Sequence, residues 1–217
     1  MEKKKFIIIY SLFLVISLYF VDQILEINYF LKVLFKIILI LLSFIIGKQY
    51  NLSFKFLKFK HIKNYKIGLL ISLFTFFIIF IGFMILKEFM DLTILKNEFL
   101  NKYQLDGFKF FIASFYLIFI NSFIEEYFFR GFIFLNLENK KFSNLFSSFI
   151  FAIYHISNFQ NWFTNYFMLI IPLIGLIIGG MIFNYLSTIN KDIYNSYIPH
   201  MLADLSIVII GYFLIIY

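Results

Sequence analysis

The chain has no cysteine, two prolines and one tryptophan among its 217 residues. Without cysteine there is no disulfide, no thiolate metal site and no cysteine nucleophile. Charge is scarce too: 14% of residues are Asp, Glu, Lys or Arg, against about 25% in ordinary soluble domains. Arginine is almost missing, since 18 of the 19 basic residues are lysines and Arg130 is the exception. Several catalytic patterns are absent as well. There is no His-Glu-x-x-His helix, no Gly-x-Ser-x-Gly elbow, no P-loop and no Gly-x-Gly-x-x-Gly. What abounds is apolar: 62% of the chain is hydrophobic and 24% aromatic. That composition belongs to a polytopic membrane protein with little room for a soluble domain. The net charge of +7 comes from lysines at the ends of apolar runs. They form no separate basic domain, so membrane lipid is an expected partner and nucleic acid is not.

Windows of about 20 apolar residues are read as membrane spans. They fall near 6–26, 30–47, 67–87, 108–137, 142–160, 165–188 and 197–217. The expected fold is all-α, a polytopic transmembrane helix bundle of seven to eight helices, forming a single transmembrane domain over 1–217. The first apolar run lacks a small-residue cleavage site and is read as a retained helix. Lys3, Lys4 and Lys5 place the N-terminus in the cytoplasm, and six lysines place loop 48–66 there too. Loop 88–106 is of mixed charge and fits the outside. The lean toward Lys, Asn, Ile and Phe fits an AT-rich bacterial genome, and so a multi-pass protein of the bacterial cell (inner) membrane. Phe54, Phe56 and Phe59 alternate with lysines as if lying on an anionic membrane surface, with His61 solvated beside them. Trp162, Tyr154, Tyr166 and Tyr194 suit interfacial belts. Gly175, Gly179 and Gly180 allow close helix packing.

The scarce polar chemistry is concentrated inside these apolar runs. Charge at membrane depth costs several kcal/mol by most estimates, so it marks function and faces a partner or a wet cavity. Glu126 and Arg130 are four residues apart on a helix and can pair. Glu125 is turned about 100° away and can point into a cavity, with Asn121 one turn before it. Phe151 and His155 share a face of the next span, where Asn158 could fix the imidazole. In the last span Asp204 follows His200 by four residues, a spacing that lets the carboxylate set the tautomer. Pro199 can free a backbone carbonyl there. Helix rise and lysine topology bring all these groups between the midplane and the cytoplasmic face. A carboxylate, two imidazoles and a paired second carboxylate can activate water and stabilise an oxyanion in amide hydrolysis, with or without a metal.

Glu125-Glu126-x-x-x-Arg130, Phe151-x-x-x-His155 and His200-x-x-x-Asp204 resemble, in order and on separate helices, the three signature motifs of the CPBP intramembrane proteases. That family unites type II CAAX prenyl endopeptidases with bacteriocin-processing and immunity proteins. The motif-bearing core covers about 108–217. The Thr-Gly often seen before the last motif is replaced here, with Ser187-Thr188 and Lys191-Asp192 in that region. The resemblance implies an intramembrane endopeptidase, a metalloprotease by family name, acting on a peptide or protein substrate. It implies that Glu125 activates water, that His155 and His200 bind that water or a metal, and that Asp204 supports them. Glu126, Arg130 and Phe151 are then structural partners. Two neutral imidazoles and Glu125 can hold Zn²⁺ with an open water position, and the same set can act without it. The rival reading within the family is a non-catalytic bacteriocin-immunity or scaffold membrane protein. A proton or ion transporter is a further rival, though no inverted repeat supports it.

Overall fold

The structure is a computed structural model that describes residues 2–25, 27–59, 65–102 and 105–216. His61 lies outside the described residues. Long runs of Ile, Leu and Phe leave the backbone no water to bond with, so it must bond to itself, and the chain is helical almost throughout. The helices are α1 (Glu2–Gln23), α2 (Tyr29–Gln49), α3 (Lys66–Leu86), α4 (Leu92–Asn97), α5 (Gly107–Phe134), α6 (Lys140–Phe159), α7 (Tyr166–Asn190) and α8 (Tyr194–Ile216). Among the described residues the one β contact is an isolated bridge between Met90 and Phe163. Helix starts are set by short polar side chains. Asn28 accepts from the Leu31 N–H at 3.0 Å and Asn139 from the Phe142 N–H at 3.1 Å. Lys191 ends α7 in the left-handed conformation (φ 54°), a position ordinarily given to glycine. Asp192 then caps α8 by accepting from the Tyr194 N–H at 3.1 Å.

Among the described residues six helices are long and apolar enough to cross a membrane: α1, α2, α3, α5, α7 and α8. The expected span 142–160 is a helix, α6, but does not qualify among them. Its polarity has a structural cause. Ser143 donates to the Phe134 carbonyl at 2.6 Å and Ser147 to the Phe129 carbonyl at 2.8 Å, both on α5. On its other flank, Asn184 of α7 donates to the Asn144 side chain at 2.9 Å and to Ser148 at 3.1 Å. α6 is held by protein on two sides and spends its polar face on helix-to-helix hydrogen bonds, while Leu145 and Phe149 turn outward. Gly180 permits this approach, since a Cβ there would stand 3.0 Å from Ser148. Gly175 and Gly179 face open space and play no such part.

The loop after α2 does not present all three of its phenylalanines outward. Phe56 is buried, and a Cβ on Gly131 of α5 would stand 2.2 Å from its ring. Phe54 packs beside it, and Phe59 alone of the three turns outward. Asn136 pins the loop, accepting from the Ser53 N–H at 2.8 Å and donating to the Ser53 carbonyl at 3.1 Å. The resulting core joins α1, α2, this loop, α5 and α6 around Phe128, Phe132, Ile133 and Ile150. α8 packs chiefly on α3. It continues past Pro199, which has no N–H to give the Asn195 carbonyl. Gly68 of α3 covers that oxygen; a Cβ there would approach it to 2.8 Å.

Candidate active site

α5 is not a uniform α-helix. It widens to π geometry over Tyr116–Asn121 and again over Glu126–Phe134, leaving the single α turn Ser122–Glu125 between them. Such widened turns recur at functional sites because they re-aim side chains without ending the helix. Here they bracket the glutamate pair. Both glutamates are buried, as are Arg130, His200 and Asp204.

Glu126 and Arg130 pair as expected, with Nη1 to Oε1 at 3.1 Å and both side chains fully buried. The guanidinium also lies against the rings of Phe151, at 4.3 Å, and Phe183, at 5.1 Å. These contacts suit a weakly hydrated planar cation better than an ammonium. The same Oε1 of Glu126 receives His200 Nδ1 at 2.7 Å. Glu126, not Asp204, therefore orients this ring. Asp204 stands off, its Oδ2 3.9 Å from His200 Nε2, and is held instead by a hydrogen bond from Ser122 at 2.7 Å. His155 is fixed by its own helix: Nδ1 lies 2.8 Å from the Phe151 carbonyl. A carbonyl only accepts, so Nδ1 carries the proton and Nε2 of the neutral ring presents a lone pair. Asn158 does not fix that ring; it accepts from Lys32 at 3.4 Å.

The two imidazoles meet at Glu125. His155 Nε2 lies 3.6 Å and His200 Nε2 3.5 Å from Glu125 Oε2, and that oxygen has no hydrogen-bond partner. The three sequence motifs thus converge on one point. Phe151 forms part of the wall, its ring perpendicular to His200 at 5.8 Å.

The other carboxylate oxygen carries what the sequence analysis missed. Lys36 of α2 is buried, 6% exposed, and its Nζ lies 2.7 Å from Glu125 Oε1. That oxygen also accepts from Asn121 at 2.8 Å and from the Tyr154 hydroxyl at 3.0 Å. Tyr154 therefore belongs to the site and not to an interfacial belt. Lys36 carried a legible signal, a charge alone inside an apolar run, the same signal that singled out Arg130. It was hidden because lysines were read as topology markers. Asp22 of α1 was hidden likewise; it is fully buried and pairs with Lys32 at 2.8 Å.

Among the described residues no group of three His, Asp or Glu side chains is arranged to hold a metal ion. The donor set converges on Glu125 Oε2, but an ammonium already occupies the far side of the same carboxylate and opposes a second cation there.

No curated protein and no solved structure matches the chain. Residues 107–206 match the family model described as type II CAAX prenyl endopeptidase Rce1-like. That stretch contains Glu125, Glu126, Arg130, Phe151, His155, His200 and Asp204. With these motifs gathered around one buried carboxylate, the matched stretch, a little under half of the chain, is similar to the type II CAAX prenyl endopeptidases.

Proposed function

We propose that the protein hydrolyses a peptide bond with water activated by Glu125. The observation that carries this reading is the division of labour on one carboxylate. Oε1 takes three donors, while Oε2 has none and faces two imidazole Nε2 atoms at 3.5 and 3.6 Å. A water between them donates one hydrogen to Oε2 and the other to a neutral imidazole, leaving a lone pair for attack. Glu125 takes the proton as the water oxygen bonds to the carbonyl carbon. His155 is the neutral ring that accepts from the water, and His200, whose Nδ1 hydrogen goes to Glu126, acts as the imidazolium and donates from Nε2 to the oxyanion. The C–N bond then breaks, and Glu125 returns its proton to the leaving nitrogen, giving a carboxylic acid and an amine. Glu126 holds His200 through Nδ1, Arg130 balances Glu126, and Asp204 supports from behind Ser122. No step calls on Zn²⁺. The substrate is a peptide or protein reached from the cytoplasmic side of a bacterial inner membrane, with the N-terminus of this chain cytoplasmic.

The test uses purified protein in liposomes, offered a fluorogenic prenylated Cys-aliphatic-aliphatic-X peptide and a library of hydrophobic peptides. Wild type is expected to cut at least one, and Glu125→Ala to lose at least about 100-fold in kcat/KM. Dialysis against EDTA is expected to leave the rate unchanged. Equal cleavage by Glu125→Ala would remove the assignment.

A further inference from the structure

Lys36 lies outside residues 107–206, the stretch matched by the family model, on a helix that carries none of the three motifs. Its ammonium is nonetheless built into the site. Its three hydrogens have three acceptors: Glu125 Oε1 at 2.7 Å, Asn121 Oδ1 at 2.5 Å, and the Tyr154 hydroxyl oxygen. Two of those acceptors pass hydrogens on to the same carboxylate oxygen, Asn121 through its amide and Tyr154 through its hydroxyl. The result is a closed ring of polar groups in which every Lys36 hydrogen is used and Glu125 Oε1 is filled.

Resting on the hydrolytic reading above, we propose that Lys36 is a positioning residue supplied by α2. It locks Glu125 with Oε1 engaged and Oε2 bare, aimed at His155 and His200. The physical reason is competition between two equivalent oxygens. A carboxylate rotates freely about its last torsion unless one oxygen is held, and a rotated Glu125 would spend its free lone pairs away from the imidazoles. Asn121 and Tyr154 alone do not hold it firmly, because each is itself oriented by Lys36. The ammonium also supplies the opposite charge without which a carboxylate at this depth is costly. A lysine suits the place better than an arginine: three tetrahedral donors reach three acceptors on two helices, where a planar fork would not.

The experiment compares wild type, Lys36→Met and Lys36→Arg, each reconstituted in liposomes after size-exclusion chromatography shows a monodisperse peak. On a peptide from the library that wild type cuts, Lys36→Met is expected to lose about 100-fold in kcat with KM within about twofold, the signature of a misplaced reacting group. Lys36→Arg is expected to recover at least about tenfold of that loss, because charge and part of the bonding return. A second readout needs no substrate. The infrared carboxylate band of Glu125, assigned by its disappearance in Glu125→Gln, is expected to shift in Lys36→Met and to return most of the way in Lys36→Arg. Wild-type kcat in Lys36→Met, a change confined to KM, or an unshifted Glu125 band would each overturn the role. A wild type that cuts nothing in the library would sink the hydrolytic reading instead, and the infrared comparison would still decide whether Lys36 sets the carboxylate.

Discussion

Arg130 and Glu126 illustrate how one buried charge commits its neighbours. Both are fully buried, so removing either leaves the other uncompensated, at a cost of about 3–5 kcal/mol. Glu126→Ala is therefore expected to lower the thermal midpoint in detergent sharply. The double variant Glu126→Met with Arg130→Met is expected to recover most of that stability, because no lone charge remains. It should not recover peptidase activity, since His200 Nδ1 has lost the oxygen that holds it at 2.7 Å. A double variant as active as wild type would show that Glu126 serves packing alone. Asp204 predicts the opposite pattern. Its carboxylate accepts from Ser122 and stands 3.9 Å from the His200 ring. Asp204→Asn keeps an acceptor of the same shape and is expected to stay within about tenfold of wild-type kcat/KM, while Asp204→Leu, which strands the buried Ser122 hydroxyl, should fall further.

At the scale of elements, glycines decide which helices touch. A Cβ at Gly131 would sit 2.2 Å from the Phe56 ring, so Gly131→Ala must displace the loop after α2 and is expected to cost about 1–3 kcal/mol. Phe56→Ala opens a cavity in the same place and is expected to cost about 3–5 kcal/mol. Combining them should cost less than the sum, because the added methyl enters the space the ring vacates. Gly180→Ala meets Ser148 at 3.0 Å and should destabilise, whereas Gly175→Ala and Gly179→Ala meet nothing and should be neutral or slightly stabilising. Thermal denaturation of the five single variants and the double in one detergent checks the whole set. A Gly180 variant as stable as the other two would mean that α6 and α7 do not pack as described.

At the scale of the molecule, the family-matched stretch is not a self-sufficient core. Phe128, Phe132 and Ile133 of α5 are buried against α1, α2 and the loop between α2 and α3. Lys36 and its partners tie α2 to the Glu125 carboxylate. A fragment of residues 107–216 is expected to be inactive and to be cut within α5 and α6 by trypsin at concentrations that spare those helices in the full chain. Equal protection in the fragment and the full chain would show that the first three helices are dispensable for the fold.

The amino-acid order alone determined that this is an all-helical membrane protein, and it singled out Glu125, Glu126, Arg130, His155, His200 and Asp204. Both results rest on one-dimensional signals: runs of apolar side chains, and charges that such runs do not tolerate without cause. Only the tertiary structure decided which of these groups are partners. Glu126 rather than Asp204 holds His200, the Phe151 carbonyl rather than Asn158 holds His155, and a lysine 89 positions upstream completes Glu125. Helical periodicity specifies which residues share a face within one segment, but hydrogen bonds between segments depend on how the helices rotate and slide against each other. That is settled by packing, through Gly131, Gly180, the α6 serines and the wide turns of α5, and no local pattern encodes it.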